Sequence, residues 1–114
     1  MEGMRKVIIF AASNTSNMKV TSEYISMLKA YLPICSSKYG VSRMGIFGSV
    51  ARNQQHEGSD IDIYVEGNLH GMFVMGSIKA ELEELLGVPV DLVRLREGMN
   101  PMLLQQIKKE GLYV

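Results

Sequence analysis

A short stretch near the middle of the chain, Asp60-Ile61-Asp62-Ile63-Tyr64-Val65, alternates polar or aromatic residues with aliphatic ones. Successive side chains of a β-strand point to opposite faces of a sheet, so the aliphatic residues would share one face and both aspartates the other. The aliphatic face must be covered by other elements to leave water. The run therefore predicts a β-sheet with one buried face and an acidic patch on the opposite face.

The segments on either side of this strand show helical and strand patterns in turn. Apolar residues recur at helical spacing after Ser22, the predicted N-cap, in a helix that Pro33 would interrupt or restart and Gly40 would end. The other predicted elements are a strand at 42–47, a helix at 78–86, a strand at 89–95 and a helix at 100–109. This order predicts an α+β fold, with helices packed on one face of the sheet and the second face free.

The length and composition fit one ordered domain. The chain has 114 residues, of which 46% are hydrophobic and 21% charged, so it contains enough apolar side chains for one modest core. We assign residues 20–114 to this domain. Residues 1–19 form an N-terminal extension for which the sequence leaves an extra strand, a partner-binding arm and a loose tail open.

The charge balance and the single cysteine restrict the classes of partner and compartment. Twelve basic residues balance twelve acidic ones without a basic stripe, which argues against a nucleic-acid partner. Cys35 cannot form an internal disulfide and reads as a small apolar filler, which fits a reducing compartment. The apolar run Val7 to Ala12 is too short to span a membrane. We expect a cytoplasmic protein without a membrane partner, and leave open whether it forms a homo-oligomer.

Gly48-Ser49, ten residues before Asp60-Ile61-Asp62, forms the motif with the clearest chemical meaning. Glycine at the end of a strand lets the backbone approach a phosphate closely, and Ser49 offers an amide and a hydroxyl to phosphate oxygens. Residues 50–52 would supply a helical turn that completes this anion site. The motif therefore predicts phosphate binding beside a strand that carries two carboxylates.

Asp60 and Asp62 would project from the same face of their strand, close enough to repel each other unless a cation lies between them. Oxygen ligands favour hard ions, and Mg²⁺ commonly takes one or two carboxylates together with substrate phosphates. Asp91, in the strand Val90 to Val93, is the candidate third carboxylate if its strand lies beside the first. With three carboxylates, one or two Mg²⁺ ions become plausible.

Each of these features also has a structural explanation. Gly48-Ser49 with the two aspartates would otherwise be a tight turn followed by a strand whose solvated face is acidic. Arg52 fits a phosphate contact and a structural ion pair equally well. His56, in the polar loop between the two halves of the motif, is read as a solvated loop histidine rather than a base.

The stretch from Lys38-Tyr39-Gly40-Val41 through Gly48-Ser49 to Ser59-Asp60-Ile61-Asp62 resembles the minimal (MNT-type) nucleotidyltransferases of the DNA polymerase beta superfamily. The similarity extends over roughly residues 24 to 114. Asn53 departs from the family pattern, which usually has glycine at this position, and Val50 stands where arginine or tyrosine is common. The resemblance implies a nucleotidyltransferase-like mixed β-sheet with helices packed on one face.

The resemblance also assigns roles to residues. Gly48, Ser49 and Arg52 would contact the triphosphate of ATP, and Asp60, Asp62 and Asp91 would form the catalytic, metal-binding set. The implied reaction is attack of an acceptor oxygen on the α-phosphate, with Asp91 either deprotonating the acceptor or serving only as a metal ligand. Short proteins of this kind resemble antitoxins that silence a HEPN-domain toxin by transferring AMP to one of its tyrosines.

Two other functions remain open at this point. The chain would be a non-catalytic antitoxin if it neutralised its partner by binding alone, and it would modify a small molecule if its acceptor pocket were different. Its short length disfavours the small-molecule acceptor, because no separate acceptor-binding domain remains. The apolar segment Met72 to Met75 is a candidate docking patch for a partner protein.

Overall fold

A computed structural model describes residues 19–54, 60–96 and 98–114 of the chain. Residues 1–18 of the predicted N-terminal extension, and His56, lie outside this described part. In chain order the elements are α1 (Thr21–Tyr39), β1 (Val41–Phe47), α2 (Gly48–Ala51), β2 (Ile61–Gly67), α3 (Val74–Leu86), β3 (Val90–Arg94), α4 (Pro101–Glu110) and β4 (Leu112–Tyr113).

Helix α1 differs from its prediction at its start and at Pro33. It begins at Thr21 with Val20 as the N-cap, not Ser22, and the Glu23 carboxylate accepts the Val20 N–H at 3.0 Å. The helix continues through Pro33, so the predicted interruption is wrong. Pro33 lies on the exposed side of the helix, where water can bond the carbonyl that the proline leaves without an intrahelical partner. Gly40 ends the helix as predicted, in a left-handed conformation.

The four strands form one mixed sheet in the order β3-β2-β1-β4. Strand β1 runs antiparallel to both β2 and β4, whereas β2 and β3 are parallel. The end of β1 therefore meets the start of β2, and Phe47 is paired with Asp62. Because β3 runs in the same direction as β2, its first residues lie at this same end of the sheet.

One face of the sheet is covered by α1 and α3, as the alternation in β2 predicts. Ile61, Ile63 and Val65 are fully buried there. They pack against side chains from both helices, including Leu28 of α1 and Leu82 of α3. Cys35 is buried in the same core as an unpaired thiol. The α+β class, the mixed sheet and a face covered by helices are thus confirmed.

The second face is not free, because α4 packs on part of it. Ile107 of α4 contacts a smaller core formed by Phe47, Tyr64 and Leu95. The Tyr64 ring lies directly over Gly45, where a Cβ would overlap the ring. Strand β4, which was not predicted, adds Tyr113 in an edge-to-face contact with Tyr64 at 5.3 Å between centroids. The acidic patch therefore shares its face with a small apolar core.

The ends of α3 and α4 show how far local signals define these helices. Asn100 caps α4 as predicted, since its side chain accepts the amide of Met102 at 2.9 Å, and Pro101 takes the first position. Helix α3 begins at Val74, four residues before its first predicted apolar position.

In the proposed docking segment, Met72 and Phe73 are 83% and 81% exposed, while the two residues that follow pack partly on the core. No helix in the described part of the chain has the length and apolar character of a membrane span.

Candidate active site

Asp62 and Asp91 are direct register partners on the parallel strands β2 and β3. Neighbouring strands lie about 4.8 Å apart, and partner residues point to the same face, so the two carboxylates are adjacent. Burial, the negative charge of Asp91 and then that of Asp60 raise the pKa of Asp62 to about 6, while the Arg52 charge acts in the opposite direction. The structure thus places Asp91, Asp60 and Arg52 close enough to Asp62 for each of their charges to affect its pKa.

The three carboxylates do not take equal positions in this arrangement. Asp60 is exposed and directly precedes β2, and its charge reaches Asp62 from one side. Asp91 is also exposed, whereas Asp62 is partly buried between them. No three His, Cys, Asp or Glu side chains of the described residues converge into a complete metal site. Asp62 and Asp91, which are paired across β2 and β3, are therefore the carboxylates whose proximity the structure supports best.

Gly48 stands directly against Asp62. Its φ of +75° lies in the left-handed region that favours glycine, and a Cβ at this position would overlap Oδ2 of Asp62. The sequence suggested glycine here for close approach to a phosphate. The structure adds a second requirement, because only glycine leaves the Asp62 carboxylate in its place.

Helix α2 converts the Gly-Ser motif into a single helical turn beside the carboxylates. The amides of a first helical turn have no partner within the helix, so those of Gly48 and Ser49 are oriented as donors at this point. Asn53 follows the turn with a φ of +58°, a conformation that asparagine tolerates better than other residues with a side chain. This explains how asparagine can stand where the family usually has glycine. Thr21 Oγ1 holds the turn from the other side by donating to the Val50 carbonyl at 2.6 Å.

Arg52 forms an ion pair with Glu110 at the end of α4, with 2.7 Å between Nη1 and Oε1. Its Nε also donates to Gln54 Oε1 at 3.0 Å. The structural alternative for Arg52 is therefore present in the fold, although the arginine is also close enough to influence Asp62. Glu110 was missed by the sequence analysis, because an acidic residue at a helix end carries no signal for a partner 58 positions away.

The chemistry of this cluster suits a hard divalent cation. All three candidate ligands are carboxylates, and two of them are register partners whose charges repel, which adds to burial in raising the pKa of Asp62. A bound cation would offset this repulsion and favour the ionised form of Asp62. The donor set therefore fits Mg²⁺ better than a softer metal that prefers nitrogen or sulfur ligands.

Comparisons with known proteins identify related sequences and structures. The family model of the nucleotidyltransferase domain matches residues 28–114. A candidate protein adenylyltransferase of Methanocaldococcus jannaschii is 39% identical over 98 residues, which are 85% of this chain and 100% of the relative. A solved structure of a candidate minimal nucleotidyltransferase is 33% identical, with a TM-score of 0.69, covering 82% of this chain and 95% of the other.

A crystal structure described as a toxin–antitoxin with AMP-PNP is also similar. It is 28% identical, with a TM-score of 0.60, and the match covers 82% of this chain and 70% of that one. The family model spans most of the chain and includes the Gly-Ser turn, both strands that carry aspartates and α4. The chain therefore belongs to the nucleotidyltransferase domain family.

Proposed function

We propose that this protein transfers AMP from ATP to a tyrosine hydroxyl of a HEPN-domain toxin and thereby acts as its antitoxin. The observation that carries the proposal is the register pairing of Asp62 with Asp91 beside the Gly48-Ser49 turn. The relative from Methanocaldococcus jannaschii is named as a candidate protein adenylyltransferase. This name supports transfer to a protein. The similar toxin–antitoxin structure with AMP-PNP supports an adenine nucleotide and a toxin partner.

In this proposal residues 20–114 form the catalytic domain, and residues 1–19 are an extension outside it. Asp60, Asp62 and Asp91 hold one or two Mg²⁺ ions. Bound Mg²⁺ supplies positive charge that stabilises the phosphate oxygens as negative charge develops during transfer. Asp62 would be the central ligand, since it interacts with both of the other carboxylates and lies against Gly48.

The other residues of the site bind and orient the nucleotide. The amides of Gly48 and Ser49 and the Ser49 hydroxyl donate to the triphosphate, and Arg52 adds a positive charge on the same side. The acceptor oxygen attacks the α-phosphorus in line with the bridging oxygen to the β-phosphorus. A phosphorus–oxygen bond to the acceptor forms, the bridging bond breaks, and pyrophosphate leaves with its electron pair. Asp91 accepts the proton of the acceptor hydroxyl.

The openness of the cluster supports a protein acceptor. Asp60 and Asp91 are both exposed, and no second domain of the described chain folds over them. An acceptor that excludes water from this face would have to bring its own surface. A folded partner chain does so, whereas a free small molecule does not.

A non-catalytic antitoxin is the second candidate. It is favoured by one observation, that no three carboxylates among the described residues form a complete metal site. In that case neutralisation would depend on the binding surface alone. Asp62→Ala should then leave neutralisation of the toxin intact, whereas the enzymatic proposal predicts that neutralisation is lost.

The position of the label in ATP tests the reaction. The protein is incubated with Mg²⁺, its HEPN-domain partner and ATP labelled at the α- or the γ-phosphate. We expect label from the α-position on the partner, none from the γ-position, and none with Asp60→Asn. Labelling that is equal for Asp60→Asn and the wild type would rule out the enzymatic proposal.

A further inference from the structure

Among the residues that the structure describes, strand β3 forms one edge of the sheet, and its outward main-chain groups at two residues have no partner. It pairs with β2 alone, so one side of the strand has no neighbouring strand among the described residues. The Ile61 N–H donates to the Pro89 carbonyl at 3.0 Å, and the Leu95 N–H donates to the Val65 carbonyl at 2.8 Å. The main-chain N–H and carbonyl groups of successive residues alternate between the two sides of a strand. In β3 those of the odd-numbered residues therefore point towards β2, and those of the even-numbered residues point outward.

A side chain already occupies the first outward position. The Val90 N–H donates to Glu83 Oε2 at 3.0 Å, as expected if the even-numbered residues point away from β2. The same alternation leaves the N–H and carbonyl groups of Leu92 and Arg94 at the open edge. Unpaired groups of this kind are a template for a further extended chain.

A groove of about 540 Å³ runs along this edge and contains side chains from both faces of the sheet. Met75 and Leu92 line it from the face covered by α1 and α3. Val93, Met99 and Leu103 line it from the face covered by α4. A groove that straddles a strand edge in this way matches an added strand, whose alternate side chains would enter apolar surroundings on both faces.

The groove also carries positive charge. Arg94 and Arg96 line it, and neither guanidinium makes an ion pair with another residue that the structure describes. Neither arginine is buried. The edge is therefore suited to an extended segment that combines apolar side chains with acidic ones.

The edge leads directly to the acidic cluster. Asp62 on β2 and Asp91 on β3 lie side by side in one row across the sheet. A strand added about 4.8 Å beyond β3 would place one of its side chains next in this row, beside Asp91. That position is where an acceptor hydroxyl has to be for Asp91 to take its proton.

We infer that the open edge of β3 binds an extended segment of the acceptor protein, in which apolar and acidic residues flank the acceptor tyrosine. The main-chain groups of Leu92 and Arg94 fix the segment, and the tyrosine hydroxyl lies beside Asp91. The inference rests on the proposed function, and it adds where and how the acceptor binds.

Paired variants at Leu92 test the main-chain contact. Proline at an outward edge position removes the N–H without disturbing the pairing with β2, whereas Leu92→Ala keeps the N–H and removes only the side chain. In AMP transfer to the HEPN-domain partner, we expect Leu92→Pro to raise the KM for the partner about tenfold. We expect Leu92→Ala to raise it less, and both variants to keep the wild-type Kd for ATP with Mg²⁺. An unchanged KM for the partner with folded Leu92→Pro would overturn the inference.

Charge reversal and hydrogen exchange keep the inference testable if Leu92→Pro does not fold or if transfer is absent. Arg94→Glu should weaken binding of the partner more than Arg94→Gln does.

In the wild-type protein, adding the partner should slow amide exchange at Leu92 and Arg94, whether or not AMP is transferred. Partner binding without transfer would refute the proposed function alone. Unchanged exchange at both amides, or protection by a second copy of this chain without the partner, would refute the edge as acceptor site.

Discussion

Gly48 and Asp62 lie in direct contact, so that the backbone of the Gly-Ser turn forms one wall of the Asp62 carboxylate site. This contact joins the two halves of the sequence motif, which the chain separates by the polar loop. It makes one residue responsible for two properties, the left-handed turn and the position of the carboxylate. Substitution of either residue should therefore affect the other.

Gly48→Ala should reduce both stability and transfer. The left-handed conformation costs a residue with a Cβ about 1 kcal/mol or more, and the overlap with Oδ2 adds displacement of Asp62. Denaturant unfolding and the AMP transfer rate measure the two effects. Gly76→Ala is the matched control, because Gly76 is helical with open space around its Cβ position, so alanine should stabilise α3 by about 0.5–1 kcal/mol. Unchanged transfer in Gly48→Ala would contradict the role of this contact.

Asp62→Asn should stabilise the protein at neutral pH while it abolishes transfer. Because the pKa of Asp62 is raised to about 6 in the folded state, the folded protein binds the proton more tightly than the unfolded chain. Ionised Asp62 therefore lowers the free energy of unfolding above pH 6, and this cost disappears as the pH falls towards 4. We expect a gain of about 1–2 kcal/mol at pH 7, after screening of a partly exposed group.

Unfolding measured without Mg²⁺ across pH 4 to 7 checks this prediction. The stability curves of Asp62→Asn and the wild type should converge at the acidic end. Added Mg²⁺ should stabilise the wild type more than the variant, because the ion relieves the same repulsion. A variant that is less stable than the wild type at pH 7 would argue against repulsion within the cluster.

Arg52→Ala and Glu110→Gln separate the two roles that the sequence allows for Arg52. Both variants remove the same exposed ion pair, so each should cost at most about 1 kcal/mol of stability. Only Arg52→Ala removes the positive charge beside Asp62, so it alone should raise the KM for ATP, by about tenfold. If Glu110→Gln raised this KM equally, the ion pair would be the main function of Arg52.

Glu81 should contribute to stability through its hydrogen bonds rather than through its charge pair. Its carboxylate accepts from Tyr31 at 2.8 Å, from Tyr39 at 2.5 Å and from Lys38 at 2.7 Å, which ties α1 to α3. Glu81→Ala should lower the free energy of unfolding by about 1–3 kcal/mol. Lys38→Gln removes the exposed charge pair but keeps both tyrosine hydrogen bonds to Glu81, so it should cost less than about 1 kcal/mol. Equal losses in thermal or denaturant unfolding would contradict this division.

The sequence predicted those parts of the fold that depend on local pattern. The alternation at 60–65 identified the buried face of β2, and Asn100-Pro101 identified the start of α4. Pro33 misled the prediction, since its effect on a helix depends on which side faces solvent. The second core around Tyr64 was also missed, because it joins residues from four separate segments that show no shared periodicity.

The candidate site was predictable as a set of residues but not as an arrangement. The spacing of Gly48, Ser49, Asp60 and Asp62 predicted a phosphate site beside two carboxylates, and the strand composition around Asp91 made it the candidate third carboxylate. The register that pairs Asp91 with Asp62 follows from a parallel crossover through α3, which sequence pattern does not specify. The Glu110 partner of Arg52 arises from the return of α4 to this end of the sheet, and it likewise required the tertiary structure.

The most direct test of the central claim compares AMP transfer by Asp62→Asn, Asp91→Asn and the double variant. If the two register partners act as one unit, each single substitution should lower kcat by about a thousandfold or more, and the double variant should be little slower than either. Multiplicative losses in the double variant, or near wild-type transfer by Asp91→Asn, would contradict the account.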